Sequence, residues 1–194
     1  MGKFNGLHGT SGEPPATRRG VLAGSIVLGA GIILGSTKNA PAVEPKPGER
    51  ETMADIMHSL KIQTSPDRLY QAITTAEGIR NWWTRDASLD PVAGGTGEFG
   101  FFGRRFVVKV VIEELDPQAR MKWRVTNSAW PGDIVEFDLM PEAKHTRLTF
   151  AHRGFAEADQ RYASATTRWG YYLLSLKQYL ETGKGTPNPD DIDL

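Results

Sequence analysis

The chain has 194 residues, with 23 Lys and Arg balancing 23 Asp and Glu. Its first 42 residues hold Lys3, Arg18, Arg19 and Lys38 against Glu13, so 19 basic and 22 acidic residues follow, a net of about −3. A nucleic-acid footprint should be basic and clustered, so that class of partner is excluded. The absence of cysteine excludes disulfides, thiolate nucleophiles and zinc–thiolate sites and leaves the redox compartment open.

Residues 1–42 have the order of a twin-arginine export signal. Arg18-Arg19 precede a glycine-rich apolar stretch from Val21 to Gly35, and Ala40-Pro41-Ala42 follows as a small-x-small cleavage site. The apolar stretch, about fifteen residues, is short of the ~20 that span a bilayer. The expected route is the twin-arginine translocase and the expected location the periplasm or another extracytoplasmic space. An uncleaved leader would instead be a membrane tether. Residues 43–53, dominated by proline and charge, read as a flexible linker.

The domain proper, 54–186, opens with a strand in which Ile56, His58, Leu60 and Ile62 alternate with polar neighbours. Ser65-Pro66 predicts a helix start, with serine as cap and proline in the first turn. Thr74 with Glu77 fits a capping box opening a second short helix that carries Ile79, Trp82 and Trp83. Gly95-Thr96-Gly97-Glu98-Phe99-Gly100 spells G-x-G-x-x-G. It leads into strand residues rather than a helix start, so a dinucleotide loop is rejected in favour of hairpin and bulge glycines.

Strands are predicted over 105–114, around Met121, Trp123, Val125 and Asn127, around Val135, Phe137 and Leu139, and around Thr146, Leu148, Phe150 and His152. One face is apolar and the other charged, as an antiparallel sheet with one wet side requires. Tyr162, Ala165, Trp169, Tyr172, Leu173, Leu176 and Leu180 form the apolar face of a long helix over 160–182. Arg161, Ser164, Arg168, Ser175 and Gln178 fall on its other side, and Gly183 is placed to end it. Residues 187–194 read as an exposed tail. The fold class is α+β: a curved antiparallel sheet wrapped around a long C-terminal helix, with two short helices after the first strand.

This order is similar to the helix-grip, START-like (SRPBCC) superfamily, and more closely to its branch named after the activator of a heat-shock chaperone's ATPase. The features that carry the resemblance are Thr75-Ala76-Glu77-Gly78 leading to Trp82-Trp83, Gly94-Gly95 before an aromatic strand, and Leu115-Asp116-Pro117. To these add Trp123, Phe150-Ala151-His152, and Trp169 with the run from Leu176 to Gly185. The resemblance implies a cavity under the last helix. Its relatives bind lipids, hormones and polyketides, and some are cyclases or hydrolases. The chaperone partner is not expected for an exported chain.

The leading expectation is a domain that binds a small hydrophobic molecule, without cofactor or metal, through Trp83, Phe99, Phe101, Trp123, Asn127, Phe137, Phe150, His152, Trp169 and Tyr172. Each of these aromatics can equally pack in the core, and Trp130 falls at a loop rim. Two alternatives remain open. One is a cyclase- or hydrolase-like enzyme using the same cavity, with His58 or His152 as acid/base and Tyr162 assisting. The other is an envelope protein-interaction module that takes no ligand. Arg104-Arg105 reads as a solvated turn, or else as a site for an anionic head group.

Overall fold

The computed structural model describes residues 55–127 and 129–192. The leader and the linker lie outside the described residues. Ten elements follow in order: β1 (Ile56–Ile62), α1 (Pro66–Thr74), α2 (Ala76–Arg80), β2 (Asp86–Leu89), β3 (Thr96–Phe101), β4 (Phe106–Asp116), β5 (Arg120–Val125), β6 (Ile134–Glu142), β7 (His145–Arg153) and α3 (Gln160–Thr182).

All strand pairs are antiparallel, in the order β1-β7-β6-β5-β4-β3-β2. A register shift between Ile112 and Glu114 bends β4 against β5, the device by which a sheet gains curvature. The concave face carries the alternating apolar residues, among them Phe99, Trp123, Phe137 and Phe150, all buried. The convex face is a lattice of ion pairs. Arg120 binds Glu114, Glu136 and Asp138, and Arg153 binds Glu136 and Asp55.

α1 begins as its sequence predicts, with the Ser65 hydroxyl accepting from the Arg68 amide at 3.3 Å. The capping box does not form at Thr74. Thr74 belongs to α1 and its hydroxyl donates to the Tyr70 carbonyl at 2.7 Å. The next residue, Thr75, has the extended backbone that a cap needs and accepts from the Gly78 amide at 2.9 Å. β2 has no periodic signature. Asp86-Ala87-Ser88-Leu89 is a strand because β3 supplies its partners, from Asp86 opposite Gly100 to Leu89 opposite Gly97.

α3 spans the predicted residues. Asp159 caps it, accepting from the Tyr162 amide at 2.8 Å, and Gly183 ends it at φ 84°, a backbone that only glycine adopts without strain. Its buried side holds Ala165, Trp169, Tyr172, Leu173, Leu176 and Leu180 as expected. Ser175 departs from the prediction: it is 2% exposed, because its hydroxyl accepts from the Thr186 amide at 2.8 Å as the chain turns back.

That return also corrects the exposed tail. Residues 187 and 188 are buried, and Asn188 works as a strap. Its amide donates to the Trp83 carbonyl and its carbonyl accepts from the Arg85 amide, both at 3.0 Å. Its side-chain oxygen accepts from the Phe102 amide at 3.1 Å. Arg85 with Asp190, and Tyr172 with Asp191, extend the attachment.

Candidate functional site

At the N-terminal end of α3 the helix and sheet do not close on one another. They leave a cavity of about 310 Å³, near the lower end of the ~300–1,000 Å³ typical of small-molecule sites. Trp83, Phe101, Trp169 and Tyr172 line it, as the sequence predicted. Trp83 is stacked between Trp123 and Trp169, with ring centroids 5.7 and 5.2 Å away. Offset stacking of this kind adds to burial in holding the rings, so the inner wall is a rigid indole surface.

The other predicted contacts lie elsewhere. Phe99, Trp123, Phe137 and Phe150 point to the concave face, but they sit behind the wall and fill the core. Period-two alternation assigns a face and says nothing of depth. Asn127 does not line the cavity either. Its side chain continues the β4–β5 ladder, accepting from the Lys109 amide at 3.1 Å and donating to the Val107 carbonyl at 2.7 Å.

The sequence reading missed Phe102, Phe106, Arg161, Ser164, Ala165 and Arg168 as cavity residues, and Trp130 joins them from its loop. Arg161, Ser164, Ala165, Arg168, Trp169 and Tyr172 follow a three- and four-residue spacing and so form a single stripe of α3. This stripe is rotated from the core stripe but shares Ala165, Trp169 and Tyr172 with it. The periodicity of the polar residues was the available signal. Arg104, by contrast, is in a charged surface cluster with Asp86 and Glu98, while Arg105 donates to the Phe102 carbonyl at 3.1 Å.

His152, 0% exposed, sits beside the cavity and does not line it. The Trp169 indole N–H donates to its Nδ1 at 2.9 Å, which makes Nδ1 the acceptor and puts the proton on Nε2. Nε2–H then donates to Asp133 Oδ2 at 2.8 Å. Asp133 also binds the Arg161 guanidinium, which lies 4.3 Å above the Phe155 ring. Burial pushes the His152 pKa below the ordinary histidine range, against the opposing pull of Asp133. Both ring nitrogens are committed, so this histidine holds α3 to the sheet. Asp133 and Phe155, which complete the network, had no sequence signal of their own.

β1 does pair with β7, yet the two histidines are offset in register: His58 faces Phe150, and His152 faces Ile56. His58 leans on α3 near Gly170 and bonds the Thr166 backbone, and burial lowers its pKa. Tyr162 packs edge-on against Phe155, centroids 5.3 Å apart. None of the three catalytic candidates lines the cavity. Among the described residues no cluster of three or more His, Asp or Glu is arranged to hold a metal ion.

Comparison with known proteins agrees with this architecture. The solution structure of the Aha1 dimer from Colwellia psychrerythraea is 34% identical, with a TM-score of 0.64 over 69% of this chain and 100% of that one. A crystal structure of a Mesorhizobium loti protein (20% identity, TM-score 0.59, 66% of this chain and 96% of that one) shares the fold. So does a Bacillus halodurans protein (16%, 0.58, 66% and 97%). No curated protein matches the chain. The family model described as activator of Hsp90 ATPase homolog 1-like protein matches residues 63–181, more than half of the sequence. The chain therefore belongs to that family, within the helix-grip, START-like superfamily.

Proposed function

We propose that this is an exported binding domain that holds a small, largely apolar molecule between the start of α3 and the aromatic wall of the sheet. One observation carries the reading: a cavity of about 310 Å³ bordered by seven aromatic side chains beside the hydrophobic core. Burying a flat or branched apolar ligand there gains roughly 25 cal/mol per Å² of apolar surface. Walls held by stacking and hydrogen bonds need no reordering to receive it.

Catalysis has less behind it, because His58, His152 and Tyr162 line none of this space and both nitrogens of His152 are engaged. An interaction module is also less favoured, since the convex face presents paired charges rather than an apolar patch. Export rests on the leader and is tested by fractionation: Arg18→Lys with Arg19→Lys should leave the protein in the cytoplasm.

Native mass spectrometry of the protein from the exported fraction tests binding. The expected result is a reproducible small-molecule mass that disappears on denaturation and is absent in Ser164→Trp, which fills the cavity from an exposed position. The same adduct in Ser164→Trp, or no adduct and no uptake of an apolar fluorescent probe by wild type, would overturn the reading.

A further inference from the structure

We propose that the C-terminal strap is a positioning element of the cavity. Asn188 fixes the part of the wall formed by Trp83, Phe102 and Tyr172, so that docking of the strap and binding of a ligand favour one another. The inference rests on the cavity being a ligand site and adds how that site is held and regulated.

The three residues come from three parts of the chain, the turn after α2, the β3–β4 hairpin and α3, and all of them line the cavity. Asn188 reaches each part. Its backbone amide donates to the Trp83 carbonyl at 3.0 Å, and its side-chain oxygen accepts from the Phe102 amide at 3.1 Å. Its side-chain nitrogen donates to one oxygen of Asp191 at 2.9 Å, and the other oxygen accepts from the Tyr172 hydroxyl. Asn188 is 5% exposed, so water has little access to replace these bonds once they are lost. The ion pair of Arg85 with Asp190 is exposed on both sides and adds little to the attachment.

Phe102 is the residue that most needs this support. Its φ is 52°, a left-handed backbone that a residue with a β-carbon adopts at a cost and keeps only where its surroundings hold it. It is also 38% exposed, so burial holds it only in part. A ligand packed against Phe102 and Tyr172 meets both rings in place only while the strap is docked. It therefore binds the docked state better, and by linkage it holds the strap down by the same factor.

The test titrates the protein with the neutral fluorescent probe phenylnaphthylamine and follows amide hydrogen exchange with and without it. Asn188→Ala should bind the probe about tenfold more weakly than wild type, the scale of one lost buried hydrogen bond. At saturation the probe should slow exchange of the wild-type Phe102 and Asn188 amides by about the same factor. Thr146→Val separates this from a general loss of stability. It removes a buried hydroxyl that donates to the Thr64 carbonyl at 2.8 Å, at the other end of β7 from His152. It should lower the urea midpoint and bind the probe as wild type does. Asn188→Ala binding as tightly as wild type, or Thr146→Val binding as weakly as Asn188→Ala, would overturn the role of the strap. With Ser164→Trp still losing the probe, the cavity reading would stand. Phe102 and Asn188 amides that exchange no more slowly with the probe bound would also overturn it, even if Asn188→Ala does not fold. A probe that fails to bind wild type, or that binds Ser164→Trp equally well, would overturn the cavity reading and the role of the strap with it.

Discussion

The Trp169 indole N–H donates to Nδ1 of His152 across 2.9 Å of buried interior, and this bond joins the long helix to the last strand. Losing it strands an acceptor where water cannot replace the donor. Trp169→Phe should therefore lower stability by about 1–3 kcal/mol beyond the change in packing. Trp123 is an internal control, because its buried indole nitrogen has no hydrogen-bond partner among the described residues. Trp123→Phe strands no acceptor and removes an unpaired donor, so it should cost only its packing loss and about 1–3 kcal/mol less than Trp169→Phe. Urea denaturation of both variants checks the contrast, and equal losses would contradict the assigned bonding.

Half-buried His58 and buried His152 make stability depend on pH with a defined sign. Burial lowers the pKa of both His58 and His152 relative to the unfolded chain. The unfolded state then binds more protons as the solution acidifies. Their contribution is complete above the ordinary histidine pKa of about 6.5 and declines as pH falls through it, with a slope of up to about two protons. Denaturation midpoints from pH 7.5 to 5.5 should decline, and His58→Gln should flatten the slope. Midpoints that rise on acidification would contradict both assignments.

Asp133 packs directly against Gly154. Its φ of 121° suits glycine, and a β-carbon there would stand 2.3 Å from Asp133 Oδ1. Gly154→Ala should cost about 1–3 kcal/mol from the backbone alone. It should also push Asp133 off His152, which a changed NMR shift of the His152 imidazole would report. A silent substitution would mean that Asp133 is not held as described.

The strap at the C-terminus predicts a linked pair of effects. Asn188→Ala removes the acceptor of the Phe102 amide and a support of Asp191, and should destabilise by about 1–3 kcal/mol. Burial, reinforced by the bond to Asp191, holds the Tyr172 hydroxyl pKa far above the ordinary tyrosine value. In Asn188→Ala the alkaline ultraviolet titration should show Tyr172 ionising at lower pH than in wild type, because the secondary contribution of Asp191 is weakened while burial remains. An unchanged titration would mean that Asp191 stays in place without Asn188.

The sequence by itself determined every element whose signal is local. α3 could be read to its ends, because the apolar stripe and Gly183 act within a turn or two of backbone, while its Asp159 cap emerged only in the structure. Five of the strands were legible from period-two alternation, because a buried face imposes it residue by residue. β2 was not, because its strand geometry comes from pairing with β3. The aromatic wall was legible in kind but not in membership. Phe99 and Phe101 share a face of one strand, and only the meeting of α3 with the β3–β4 hairpin puts one in the core and the other on the cavity.

Only the tertiary structure could decide that Ser175 is buried by the returning tail and Asn188 by the elements it bridges. The same holds for His152, whose two nitrogens are taken by Trp169 and Asp133. These are bonds between residues far apart in the chain, which no local periodicity encodes. Arg161 and Arg168 read as solvent-facing because helical spacing ranks positions around an axis without saying where the neighbouring surface stops. Along the first half of α3 the polar side of the helix meets Phe101, Phe102 and Phe106 of the β3–β4 hairpin across an open space and becomes the wall of a cavity.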